Sequence, residues 1–248
     1  MSNLAINQTS GGCDLSNEFF NLAKKTVNYA ILAGSRLIPF SAPSMPFFNK
    51  LNQADKLKVL SGLRTFNEIC EQILSEGKSL ANAKAMTWYA LRKFNLHFPS
   101  DLFDFIKDEN VVEIYDRDNI QIFRNFRFFD VTSYSLEDLL CRPWVDLFAR
   151  INMEHTMSII NTCNKFYTKE LTSVTPLGYV GTHKIVETNS PFGFNVDATV
   201  DFVAPIYDKT KYPAGFIAIE TAQLTSNIPQ GIVAETLLEK YYLREYDL

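Results

Sequence analysis

VDATVDFVAP, residues 196–205, is the stretch on which the fold class turns. Val196, Ala198, Val200 and Phe202 alternate with Asp197, Thr199, Asp201 and Val203, the two-residue period of a strand with one face buried. YDKTKYPAG (207–215) follows and supplies lysine, proline and glycine for a hairpin into FIAIE. Working backwards, LTSVTPLGYVGTHKIVET (171–188) and GFNVDATVDFVAPIYD (193–208) have strand character, as does AGFIAIETAQ (214–223). VVEIYDRDNIQIFRN (111–125) reads as two short strands around a turn at residues 116–119. A five-stranded antiparallel sheet is the expectation, with short helices between residues 132 and 161.

The first hundred residues have a different period. Residues 15–38 place Phe19, Leu22, Ala23, Val27, Ala30 and Ile31 near helical spacing, with Ser16 as the N-cap. Pro39, Pro43 and Pro46 break regular structure in PFSAPSMPFF. A second helix is expected over 53–76, stopped by Gly77, and a third over 80–95, closed by Pro99. The chain is therefore read as α+β: a flexible tail (1–14), a helical domain (15–105), a sheet domain (111–226) and a C-terminal amphipathic helix (227–248).

Composition narrows the functional classes. The chain has 248 residues, 46% hydrophobic and 21% charged, which suits a packed globular protein and not a disordered one. The net charge of −4 is mild and the signs are mixed, which argues against an extended nucleic-acid surface. Lys84, Arg92 and Lys93 in SEGKSLANAKAMTWYALRKF leave a small DNA contact as an alternative. There is no apolar run of membrane-spanning length and no signal-peptide pattern, so a cytoplasmic location is expected. Cys13, Cys70, Cys141 and Cys163 form no CxxC pair, and His97, His155 and His183 are dispersed, so neither set has metal spacing. No hydrolase, zinc-protease or phosphate-loop motif occurs, and Asp197 and Asp201 fall on the strand's solvent side, so no enzymatic activity is expected.

SYSLEDLLCRPWVDLF (133–148) adds a capped helix that Pro143 stops just before Trp144. Ser135 is placed to cap it, with Asp138 completing a capping box. Taken with Asn125 and FRFFDVT before it and the closing hairpin PIYDKTKYPAGFIAIETAQLT, the segment 111–226 resembles a PAS domain. The carrying residues are Ser133, Tyr134, Ser135, Glu137, Asp138, Leu139, Leu140, Cys141, Arg142, Pro143, Trp144, Leu147 and Phe148. Ser133 and Cys141 stand where the family usually has glycine.

The resemblance implies a sensor fold in which five antiparallel strands cup a ligand against short helices. It implies a signalling or transcription-regulating role, a homodimer and a downstream protein partner. Residues expected to face the cup are Phe128, Phe129, Tyr134, Trp144, Phe148, Ile159 and Phe166, with Val200 and Phe202 from the sheet; the alternative is that they fill a core. His155 lies on the helix that carries the iron ligand in haem-binding members, which makes haem a candidate cofactor. Cys141, in LLCRPW, lies outside the motif of the family's light-sensing branch.

Overall fold

The computed structural model describes residues 11–151, 153–188, 190 and 193–225. Most of the expected tail (1–10) and the expected C-terminal helix lie outside them. The N-terminal half is helical: α1 (Gly11–Leu32), α2 (Pro46–Lys50), α3 (Gln53–Ser75) and α4 (Ala83–Lys93). Helix α1 takes in residues 11–14, and Ser16 stands inside it and not at its cap, with its hydroxyl donating to Asn49 Oδ1. Its end is six residues earlier than expected. Gly34 takes φ 76°, and Ser35 N donates to Ala30 O while Gly34 N donates to Ile31 O, a Schellman stop that leaves Ile31 exposed. Gly77 ends α3 in the same way, as expected, and Asn95 ends α4. Helix α4 begins at Ala83, three residues later than expected, because Asn82 caps it through Ala85 N.

After a short 3-10 turn (Leu102–Asp104) come β1 (Val111–Asp116), β2 (Gln121–Arg124), α5 (Arg127–Asp130), α6 (Leu136–Cys141), α7 (Trp144–Leu147), β3 (Phe148–Arg150) and α8 (Met153–Tyr167). Strands β4 (Thr175–Pro176), β5 (His183–Glu187), β6 (Asn195–Tyr207) and β7 (Pro213–Leu224) complete the sheet. It has seven strands in the order β2-β1-β7-β6-β5-β3, with β4 paired to β6, and not five. The sequence missed β3, and the stretch 171–188 divides into β4 and β5; β3 and β4 are three and two residues long, too short to show a period. Both hairpins form as expected: Asp116 Oδ1 caps the first turn at Asp118 N and Ile120 N, and Asp208 Oδ1 caps the second at Thr210 N and Tyr212 N.

The alternation in residues 196–205 holds only to Val200. Val200 pairs with Glu220 but Phe202 pairs with Ile219, so Asp201 is an extra residue, a bulge. It reverses the parity of the strand: Val200 faces α8, while Phe202 turns to the opposite face and packs on Phe105 at 4.6 Å. Thr221 Oγ1 donates to the Asp201 carboxylate and Leu177 N to its carbonyl, so the bulge has its own partners.

Both faces of the central strands are covered. On one side Val112, Ile114, Ala204, Ile206, Ile217 and Ile219 join a cluster that continues without a break into Phe19, Leu60 and Met86 of the helices. On the other, Cys163 and Phe166 of α8 pack on Val200, Val203, Phe216 and Ala218. Glu137 of α6 ties the helical half to this assembly: its buried carboxylate accepts from Ser41 N, Ser41 Oγ, Phe47 N and Phe48 N at 2.8–3.1 Å. The capping box of α6 is present, with Ser135 and Asp138 each bonded to the other's backbone N–H. Ser133 and Cys141 adopt no positive φ.

Close approach of β1 and β7 depends on Gly215, where an added Cβ would lie 2.0 Å from Tyr115 O. That contact is backbone inside a sheet, so Gly215→Ala should cost about 2 kcal/mol, in the range of overpacked cores. Urea denaturation of the two proteins measures it.

Candidate functional site

The curled sheet and α5, α7 and α8 line a partly open cavity of about 60 Å³. A single water needs about 10–15 Å³ of such space and drug-sized ligands fill about 300–1,000 Å³ pockets, so there is room here for a few waters or a few heavy atoms. Pairing places its floor. Val111, Glu220 and Val200 lie across β1, β7 and β6; Ala222, Ala198 and His183 form the next row; Val196, Ile185 and Arg150 form the third. Side chains directly opposite in an antiparallel pair share a face, so these rows point the same way.

Five of the expected residues line the cavity: Phe128, Trp144, Phe148, Ile159 and Val200. Trp144 is half-buried, stacked on Phe148 at 4.6 Å and edge-on to Phe128 at 5.8 Å. The others stand elsewhere. Tyr134 is behind the wall, edge-on to Phe148, with its hydroxyl 2.6 Å from Leu147 O. Phe166 lies in the apolar cluster under α8. Phe129 turns into the main core, and Phe202 is on the far face because of the bulge. His155 is half-buried, its ring 5.4 Å from that of His183 and against Gly181. A porphyrin does not fit this arrangement: the cavity is far too small, and the His155 ring is turned onto a second imidazole.

The polar lining was not foreseen. It consists of Glu113 and Tyr115 of β1, Thr132, Arg150 of β3, His183 of β5 and Glu220 of β7. Glu113 accepts from Tyr115 Oη at 2.6 Å and from Gln121 Nε2. Arg124, directly opposite Glu113 on β2, lies over the rings of Phe128 and Trp144 at 4.4 and 5.5 Å, and its Nη1 is buried without a hydrogen-bond partner. His183 is 3% exposed, and neither ring nitrogen has a partner among the described residues. A charged residue between apolar neighbours, as in VVEIYD and IAIETA, reads as the solvent side of a strand; only coverage of that side by α5, α7 and α8 reverses the meaning.

Burial and neighbours bias the charges. Burial pushes the Glu220 carboxyl up to about 8; Glu113 and Asp201 add to the rise and Arg150 opposes it. Burial takes the His183 imidazole down to about 4, with Arg150 and His155 adding to the fall. Burial, then Glu113 and Glu220, raises the Tyr115 phenol well above its usual range, and burial lowers the Arg124 guanidinium. At neutral pH Glu220 is mostly protonated and His183 is neutral.

Elsewhere, Cys70 and Cys163 are buried and Cys141 half-buried, all three free, with burial driving the Cys163 thiol to about 12. Lys93 is paired with Glu68 at 2.7 Å. Among the described residues no group of three or more His, Cys, Asp or Glu is placed to hold a metal ion. No described helix is long and apolar enough to cross a membrane.

The two shifts act in opposite directions on stability. Glu220 binds its proton more tightly folded than unfolded, so its contribution is full below about pH 4.5 and is lost as pH rises through about 8. His183 is the reverse: its contribution is full above about pH 6.5 and is lost as pH falls towards about 4. Melting temperatures against pH should show Glu220→Gln gaining on the wild type from mildly acidic to alkaline pH, and His183→Gln resisting acid better.

The chain matches no family model and no curated protein.

Proposed function

We propose that the chain is a regulatory sensor that binds a small molecule in the cup between the sheet and helices α5, α7 and α8. The observation that carries this reading is His183: an imidazole with both nitrogens buried, unpartnered and bordering a cavity. Buried polar groups are almost always satisfied, and one that is not calls for water or a ligand. The aromatic wall around Trp144 and the antiparallel sheet closed over short helices also support the resemblance to PAS sensor domains.

The signal follows from packing. A ligand that prefers one arrangement of sheet and helices shifts the population towards it. The sheet face opposite the cup shares its core with α1, α3 and α4, so the change reaches the surface that a second copy or a downstream protein would contact. On this reading the protein works inside the cell through protein contacts and catalyses no reaction. A nucleic-acid role has less support, since Lys93 of the basic trio is engaged with Glu68.

Ala198→Leu fills the cup from the middle of its floor. Native mass spectrometry of wild-type protein purified from its own host should show a retained small molecule, and the variant should lose it while keeping the wild-type circular dichroism spectrum. Equal ligand content in the two proteins would overturn the assignment of the site.

A further inference from the structure

Three side chains around the cup, Arg150, Arg124 and His183, have donors to spare, and Gln121 Oε1 is a buried acceptor without a donor among the described residues. Glu113 already accepts from Tyr115 and Gln121. Arg150 has no carboxylate within 4 Å among the described residues, and its one hydrogen bond is a long one, 3.4 Å to Thr156 Oγ1. Arg124 has a buried Nη1 with no partner, and neutral His183 brings one N–H and one acceptor, both unused. Around these groups the walls are hydrocarbon: Phe128, Trp144, Phe148, Ile159, Val196 and Val200.

Resting on the reading of the cup as a ligand site, we infer that it takes a short-chain carboxylate, with the carboxylate on Arg150 and His183 and the hydrocarbon tail against Trp144 and Phe148. Guanidinium is the side chain best shaped for a carboxylate, and the partner it lacks inside the protein is what such a ligand brings. The tail explains the apolar walls, which an inorganic anion would not use. The cavity volume limits the ligand to a few heavy atoms.

Protonated Glu220 donates to the bound carboxylate in a hydrogen bond. The charges facing Glu220 are Glu113 from β1, Arg150 from β3 and Asp201 from β6, with the Tyr115 phenol beside them; those facing His183 are Arg150 and His155 of α8. Ionisation of Glu220 would place a second negative charge beside the ligand, so affinity falls as pH rises through its titration.

The test is a calorimetric titration of the full chain at constant ionic strength with sodium propionate, propionamide and propylammonium chloride. Propionate should bind at least about tenfold more tightly than either isostere. Arg150→Met should weaken it by about tenfold or more, Arg150→Lys less. Arg150 is exposed on a short edge strand, so both variants should keep the wild-type melting temperature. Propionate affinity should fall between about pH 6.5 and about pH 8.5 in the wild type and stay level in Glu220→Gln. Equal or tighter binding of propionamide or propylammonium, or unchanged binding by folded Arg150→Met, would overturn the carboxylate assignment. If one of those isosteres binds and Ala198→Leu abolishes it, the cup stands as a ligand site and the anion class falls. If the wild type binds none of the three and retains no molecule from its host, both inferences fall.

Discussion

Where β1, β6 and β7 pass between the helical layers, neither face of the sheet meets water. The helices cover one face there and α5, α7 and α8 the other, so a polar group buried in that zone must find its partner within the protein or go without one, whereas Lys184, Thr221 and Gln223 farther along the strands are exposed. Glu113 finds Tyr115 and Gln121. His183 finds none. Because burial disfavours charge, Glu220 holds a proton at neutral pH that an exposed carboxyl would release, and His183 stays neutral in mildly acidic solution where an exposed imidazole is charged.

Coverage of both faces has a second effect on the architecture. The helical half and the sheet half are joined by one apolar cluster, and the Glu137 carboxylate reinforces the join by gathering the Ser41 N–H and hydroxyl from the α1–α2 connection and two backbone N–H groups from the first turn of α2. Such charge-assisted bonds in a buried setting are among the stronger ones a protein makes. The position of α6, and with it the wall that begins at Trp144, is thereby referred to the N-terminal helices.

Local rules were legible in the sequence and global ones were not. The stop at Gly77, the capping box at Ser135 and Asp138, the break before Trp144 and both hairpin turns each depend on a few adjacent residues. The Gly34 stop was equally local, but apolar residues continuing to Ile38 masked it. The bulge at Asp201 left no mark, because an aspartate between apolar residues fits an uninterrupted alternation just as well; Phe202 was therefore assigned to the wrong face. The aromatic wall followed from the run 128–148, yet Glu113, Arg150, His183 and Glu220 come from four strands and meet only after the sheet curls. No spacing along the chain encodes that meeting.

The bulge at Asp201 also makes β6 a member of both layers. Val200 forms part of the cup, and two residues on Phe202 presses on Phe105 from the opposite side. Thr221 and Leu177 bond Asp201 between them. A single inserted residue thus sends two near neighbours on one strand to opposite layers, Val200 to the cup and Phe202 to the helical side, so the cup's floor and the helical core share one short piece of backbone.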